Sequence, residues 1–144
     1  PAQPRIVPQN AAEWALALLS TALVPALAEE MCFRGMLQGL LTRRLPRAGI
    51  WITALVFAAV HLQWSALPAL FVLGLALGYV NKCHGFWAGV LLHGLYNAAV
   101  LVLSSREIGI TLPIVLVCTI AFIFAWRGLM QKEEPHHEAD GTGL

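Results

Sequence analysis

The sequence predicts an all-α fold, a polytopic transmembrane bundle of about five helices. Two observations carry that expectation. Of 144 residues, 58% are hydrophobic and only 12% charged, with a mean hydropathy of +0.71, whereas a soluble domain of this length needs far more polar surface. The apolar residues also gather in runs long enough to cross, or nearly cross, a hydrocarbon core of about 30 Å.

Residues 1–11 form a polar lead-in that starts with Pro1 and has neither a charged segment nor an apolar stretch of the kind a signal peptide needs. The chain therefore reads as a segment of a longer protein. Five apolar runs follow, at about 12–42, 48–64, 66–81, 86–104 and 108–127. The second and third are separated as a hairpin because Gln63, Trp64, Ser65 and Pro68 interrupt an otherwise overlong span. Residues 12–127 make one membrane domain with no internal boundary. The stretch 128–144 holds four of the eight acids (Glu133, Glu134, Glu138 and Asp140) and reads as a disordered, solvated tail. In that tail His136 and His137 read as a solvated pair.

Charge outside the apolar runs sets orientation. Arg43, Arg44, Arg47, Lys82, Arg127 and Lys132 fall on one side, against Arg5 and Arg106 on the other. The positive-inside rule places the first group, and the C-terminal tail, in the cytoplasm. A net charge of +1 offers no basic patch for nucleic acid. Cys32, Cys83 and Cys118 are too scattered for a disulfide framework or a thiolate zinc site and read as small apolar fillers. The pairs Gly35/Gly39, Gly74/Gly78 and Gly85/Gly89 put small residues one turn apart, a pattern that permits close helix approach in lipid.

The informative residues within the runs are six that pay a desolvation cost: Glu29, Glu30, Arg34, His61, His93 and Asn97. An ionisable side chain at the bilayer centre costs about 2.5–3.5 kcal/mol on insertion scales, so such a cluster marks a functional site. Glu30 and Arg34, at i and i+4 with the acid first, form a neutralising pair; Glu29 points about 100° away and is left without a partner on its own helix. Counted from the cytoplasmic helix ends, Glu29, His61, Asn97 and His93 lie at depths of roughly 20, 18, 16 and 10 Å. His93 and Asn97 share a face, and Phe57 sits one turn from His61. Three helices can therefore converge on one polar cavity.

The chemistry narrows by elimination among intramembrane hydrolases. No Ser at 20, 65, 104 or 105 has a nucleophile setting, Asp140 is the single Asp, and there is no H-E-x-x-H. A carboxylate and a histidine acting on water remain. The segments Glu29-Glu30-Met31-Cys32-Phe33-Arg34, Phe57-Ala58-Ala59-Val60-His61 and His93-Gly94-Leu95-Tyr96-Asn97 resemble, in order and spacing, the E-E-x-x-x-R, F-x-x-x-H and H-x-x-x-N motifs of the CPBP family. That family groups CAAX prenyl proteases of the Ras-converting type with bacterial bacteriocin-processing and self-immunity (Abi) proteins. The resemblance covers residues 12–104, and many members carry further N-terminal helices, which implies that this chain is the C-terminal core of a longer family member.

The resemblance implies a glutamate-dependent intramembrane endopeptidase of a bacterial cell membrane. Its substrate would be a peptide or a lipidated protein, and its surroundings membrane lipids. Glu29 would be the general base, His61 would hold the water, and His93 and Asn97 would donate to the oxyanion. Glu30 and Arg34 would fix the first helix, and Phe57 would support the site. No cofactor is implied. Two alternatives remain: a zinc protease using Glu29, His61 and His93 as ligands, and a non-catalytic membrane binding or immunity protein. A transporter ranks below both, because only Pro25 and Pro113 suggest broken helices. Oligomeric state is not legible.

Overall fold

The computed structural model describes residues 7–46 and 48–105, together with the isolated positions 119, 123 and 127. Apart from those positions the fifth expected helix, 108–127, lies outside the described residues, as do residues 1–6, Arg47, Cys118 and the tail 128–144. Among the described residues there are helices and no strands. They are α1 (Ala11–Arg44), α2 (Gly49–Val60), α3 (Leu67–His84) and α4 (Phe86–Ser105).

Helix α1 begins at a reciprocal cap. The Asn10 side chain accepts from the Glu13 backbone N–H at 3.0 Å, while the Glu13 carboxylate accepts from the Gln9 N–H at 2.7 Å. The helix then runs 34 residues, widening into π turns at Leu19–Leu23 and Met31–Gln38. The first widening lies just upstream of Pro25, whose ring lacks an N–H and would clash with the carbonyl one turn back in regular α geometry. The second directly follows the two glutamates. Arg43 and Arg44 occupy the last turn, favourable positions at a helix C-terminus.

Helix α2 is shorter than the expected 48–64. It stops at Val60, with His61 as its C-cap and Leu62 in a left-handed conformation (φ 53°). At 12 residues it spans about 18 Å, too little to cross a core of about 30 Å alone. A polar hairpin follows, and Pro68 sits in the first turn of α3, where its missing N–H costs nothing. Helix α3 continues to His84, three residues past expectation. Gly85, at φ 84°, reverses the chain into α4.

Three of the helices, α1, α3 and α4, are long and apolar enough to span a membrane. Apolar side chains such as Leu16, Leu55, Trp87 and Leu91 point outward, as lipid requires. The protein is an integral membrane protein. Arg34 and Gln38 of α1 reach the carbonyls of Gly74 and Gly78 of α3 in the same order along both helices, so these two run parallel. Gly74 packs on Ala54 and Gly78 on Ile50, while Gly89 lies against Glu30 and Gly94 against Ala26; α2 and α4 therefore run the opposite way. The up-down order places Arg43, Arg44 and Lys82 at one end of the bundle.

Phe57, Leu73 and Leu77 form the core, with Phe33, Leu70, Leu92 and Tyr96 packed around them. Of the three glycine pairs, Gly74/Gly78 brings helices together: a Cβ on Gly74 would lie 3.0 Å from the Ala54 Cα, and one on Gly78 2.7 Å from the Ile50 Cγ2. Gly35 and Gly39 face nearly open space. Nor are Cys32 and Cys83 buried fillers; both are exposed on the outer surface, where a small thiol is compatible with lipid.

Candidate active site

Consecutive glutamates on one helix must point to different neighbours, and they do. Glu30 is fully buried. Its Oε1 accepts from Arg34 Nη1 at 2.8 Å and from His93 Nδ1 at 2.9 Å. Arg34 also donates from Nη2 to the Gly74 carbonyl at 3.1 Å. One turn on, Gln38 Nε2 donates to the Gly78 carbonyl at 3.1 Å. Gly89 makes room for this arrangement, since a Cβ there would come within 3.1 Å of Glu30 Oε2. Glu30, Arg34 and Gln38 thus form a buried polar ladder that ties α1 to α3 and α4.

Glu29 faces the other way, its side chain 31% exposed. Its Oε2 lies 3.7 Å from His93 Nε2 and 3.9 Å from His61 Nε2. Neither distance is a hydrogen bond, and this oxygen is buried without a partner. Polar atoms from three helices therefore meet at Glu29 Oε2, both imidazole Nε2 atoms lying within 3.9 Å of it.

The histidines are oriented by their other nitrogens. At the end of α2, where last-turn carbonyls lack helical donors, His61 Nδ1–H donates to the Phe57 carbonyl at 2.7 Å. A carbonyl only accepts, so Nδ1 carries a proton, and Nε2 is the nitrogen turned toward Glu29. The four-residue spacing of Phe57 and His61 is what closes this cap. On α4, Glu30 holds His93 Nδ1 in the same way. Phe57 is the floor under all of it. Its ring lies 4.8 Å from that of His61, 5.7 Å from that of His93 and 4.6 Å from the Arg34 guanidinium.

The structure brings Glu29, Glu30, Arg34, Phe57, His61 and His93 together. Asn97, half-buried, is one turn farther along α4. There α4 runs toward the N-terminal half of α1, since Gly94 already faces Leu23 and Ala26. Counting from helix ends puts His93 about 10 Å away from the level of Glu29, yet the two are adjacent. That count assumes a common end plane and uniform α rise; the π turns of Met31–Gln38 advance less per residue, and long side chains close the rest. Gln38 and Gly89 join the site without being among its expected residues. The i, i+4, i+8 spacing of Glu30, Arg34 and Gln38 is the available signal for the first; the second is marked only by the Gly85/Gly89 pair, which signals close packing rather than a site. No three His, Cys, Asp or Glu side chains among the described residues gather closely enough to hold a metal ion.

Residues 11–99 match the model of the Rce1-like family, type II CAAX prenyl endopeptidases, and the chain belongs to that family. It is also similar to YpbD, an uncharacterized protein of Bacillus subtilis (strain 168), with 35% identity over 69 residues, 48% of this chain and 33% of YpbD. The matching region thus spans about a third of that relative's length. No solved structure matches the chain.

Proposed function

We propose that this member of a CAAX prenyl endopeptidase family hydrolyses a peptide bond close to the membrane with Glu29 as general base. One observation carries the reading: the buried, unpartnered Glu29 Oε2 faced by two imidazole Nε2 atoms at 3.7 and 3.9 Å. A water among these atoms donates one hydrogen to Glu29 and the other to His61. Its remaining lone pair is free to attack a carbonyl carbon.

In the step itself Glu29 takes a proton from the water as the oxygen bonds to the carbonyl carbon, and the carbonyl π pair moves onto its oxygen. His93, when protonated on both nitrogens, directs Nε2–H at that oxyanion, and the Asn97 amide supplies a second donor. Such donors contribute about 3–4 kcal/mol each in well-built sites. Collapse of the intermediate breaks the C–N bond, and Glu29 returns its proton to the leaving amine. Glu30 holds the Nδ1 side of His93, and Phe57 supports both rings.

The substrate is a peptide or lipidated protein, of CAAX type or from other peptide processing, and the end bearing Arg43, Arg44 and Lys82 faces the cytoplasm by the positive-inside rule. The decisive variant is Glu29→Gln, which keeps shape and removes the base. With purified protein in detergent, cleavage of a prenylated peptide falls about 10²–10⁴-fold while the unfolding midpoint stays unchanged; cleavage at the wild-type rate overturns the reading. The zinc version predicts loss of cleavage with a chelator, the metal-free version none.

A further inference from the structure

Helices α2 and α3 meet in a hairpin, residues 61–66, and two counts along the bundle place it short of the far membrane face. From Lys82 back to Leu67, α3 rises about 22 Å. On α2, Ile50 packs at the level of Gly78; Ile50 to His61 adds about 16 Å and Gly78 to Lys82 about 6 Å, the same total. Tilt can only shorten this span. With Lys82 at one interface, the hairpin stops several ångströms inside a hydrocarbon core of about 30 Å, whereas the 20 residues of α4 cover that whole thickness.

Hydrocarbon is the wrong surrounding for this hairpin. The Leu62 and Ala66 N–H groups donate to the Ala59 and Gln63 carbonyls at 3.1 and 3.0 Å. Between them, the N–H groups of Gln63, Trp64 and Ser65 meet no acceptor among the described residues, a state that water tolerates and lipid tails do not. The Gln63 and Ser65 side chains are exposed too. Trp64 is 82% exposed, and Trp is a residue type that collects where tails meet headgroups. The hairpin starts at His61, whose side chain, like that of Glu29, is partly open, while His93 and Glu30 behind them are buried.

We propose that the headgroup and water layer dips to this hairpin, so that the bilayer is thinner against α2 and the start of α3 than against α4, with Trp64 at the boundary. The partner is the polar surface of the bilayer as such, since residues 62–66 carry no charge that would select an anionic lipid. Bulk water then stands at the edge of the Glu29 and His61 pair. This concerns how the bundle sits in lipid and holds whether or not the site cleaves peptides.

The test uses the full chain with Cys32, Cys83 and Cys118 replaced by serine and one new cysteine, either Ser65→Cys or Leu95→Cys, the latter at an exposed position in the middle of α4. A charged maleimide, supplied to both faces, is reacted with each protein in detergent and in phosphatidylcholine vesicles of increasing chain length. The ratio of vesicle rate to detergent rate is the readout. For Ser65→Cys it is expected to stay near one, and for Leu95→Cys to fall about 10²-fold, as hydrocarbon excludes a charged group. Adding Trp64→Leu to Ser65→Cys is expected to lower the ratio in the longest-chain bilayer, where the mismatch is greatest, and to leave it near one in the shortest. A Ser65→Cys ratio that falls together with that of Leu95→Cys puts the hairpin in hydrocarbon and overturns the proposal. Slow reaction of Ser65→Cys in detergent and vesicles alike means that another protein segment covers the hairpin, and overturns it as well.

Discussion

Two glutamates adjacent in sequence have opposite surroundings. Glu30 is sealed, with Arg34 and His93 on one oxygen and no access to solvent. Glu29, about 100° around the helix, is partly open and has two imidazole nitrogens just beyond hydrogen-bond reach. The difference separates two jobs that charge in a membrane can do. A sealed carboxylate holds helices in register; an open one with facing nitrogens and no bond of its own is available for chemistry. His93 touches both and is the physical link between them.

The comparison breaks or sharpens by substitution. Glu29→Gln is the largest expected effect on activity, a fall of about 10²–10⁴ in cleavage with unfolding unchanged. If the two glutamates were equivalent, this variant would lose stability as well. Arg34→Met strikes the sealed side and leaves the buried Glu30 without its cation, His93 being its remaining partner, and breaking a buried ion pair in this way costs about 3–5 kcal/mol; denaturant unfolding in detergent measures it. An unchanged midpoint would remove the structural role of the ladder. Gly78→Ala adds a methyl 2.7 Å from the Ile50 Cγ2 and 2.9 Å from Gln38 Oε1, and overpacking of this kind costs about 1–3 kcal/mol. Its effect on cleavage should follow stability alone. Cys32→Ser, on the outer surface, is expected to change stability by less than about 0.5 kcal/mol and cleavage not at all.

Much of the site is legible in helical spacing alone. The pairing of Glu30 with Arg34 follows from i, i+4 geometry, and the isolation of Glu29 follows from the same helix period. What spacing does not contain is the contact between helices. The Glu30 to His93 bond joins residues 63 positions apart, and the carbonyls that receive Arg34 and Gln38 are 40 residues away on α3. Gly35/Gly39 and Gly74/Gly78 are identical as patterns, yet the second pair is the one that meets another helix. A glycine spacing states that an approach is permitted; the facing helix decides whether it happens.

By itself the sequence determined the medium and the local order: apolar runs that require lipid, charges gathered toward one end, and polar residues at helical spacing in each run. Tertiary packing decided the rest. It ended α2 at His61, so that the ring caps the Phe57 carbonyl and turns its other nitrogen to Glu29. It also brought His93 to both glutamates through π-widened turns that axial counting could not anticipate. The physical reason is one of range. Periodicity and desolvation cost act within a single helix, whereas hydrogen bonds between helices depend on rotations and offsets that only the packed bundle defines.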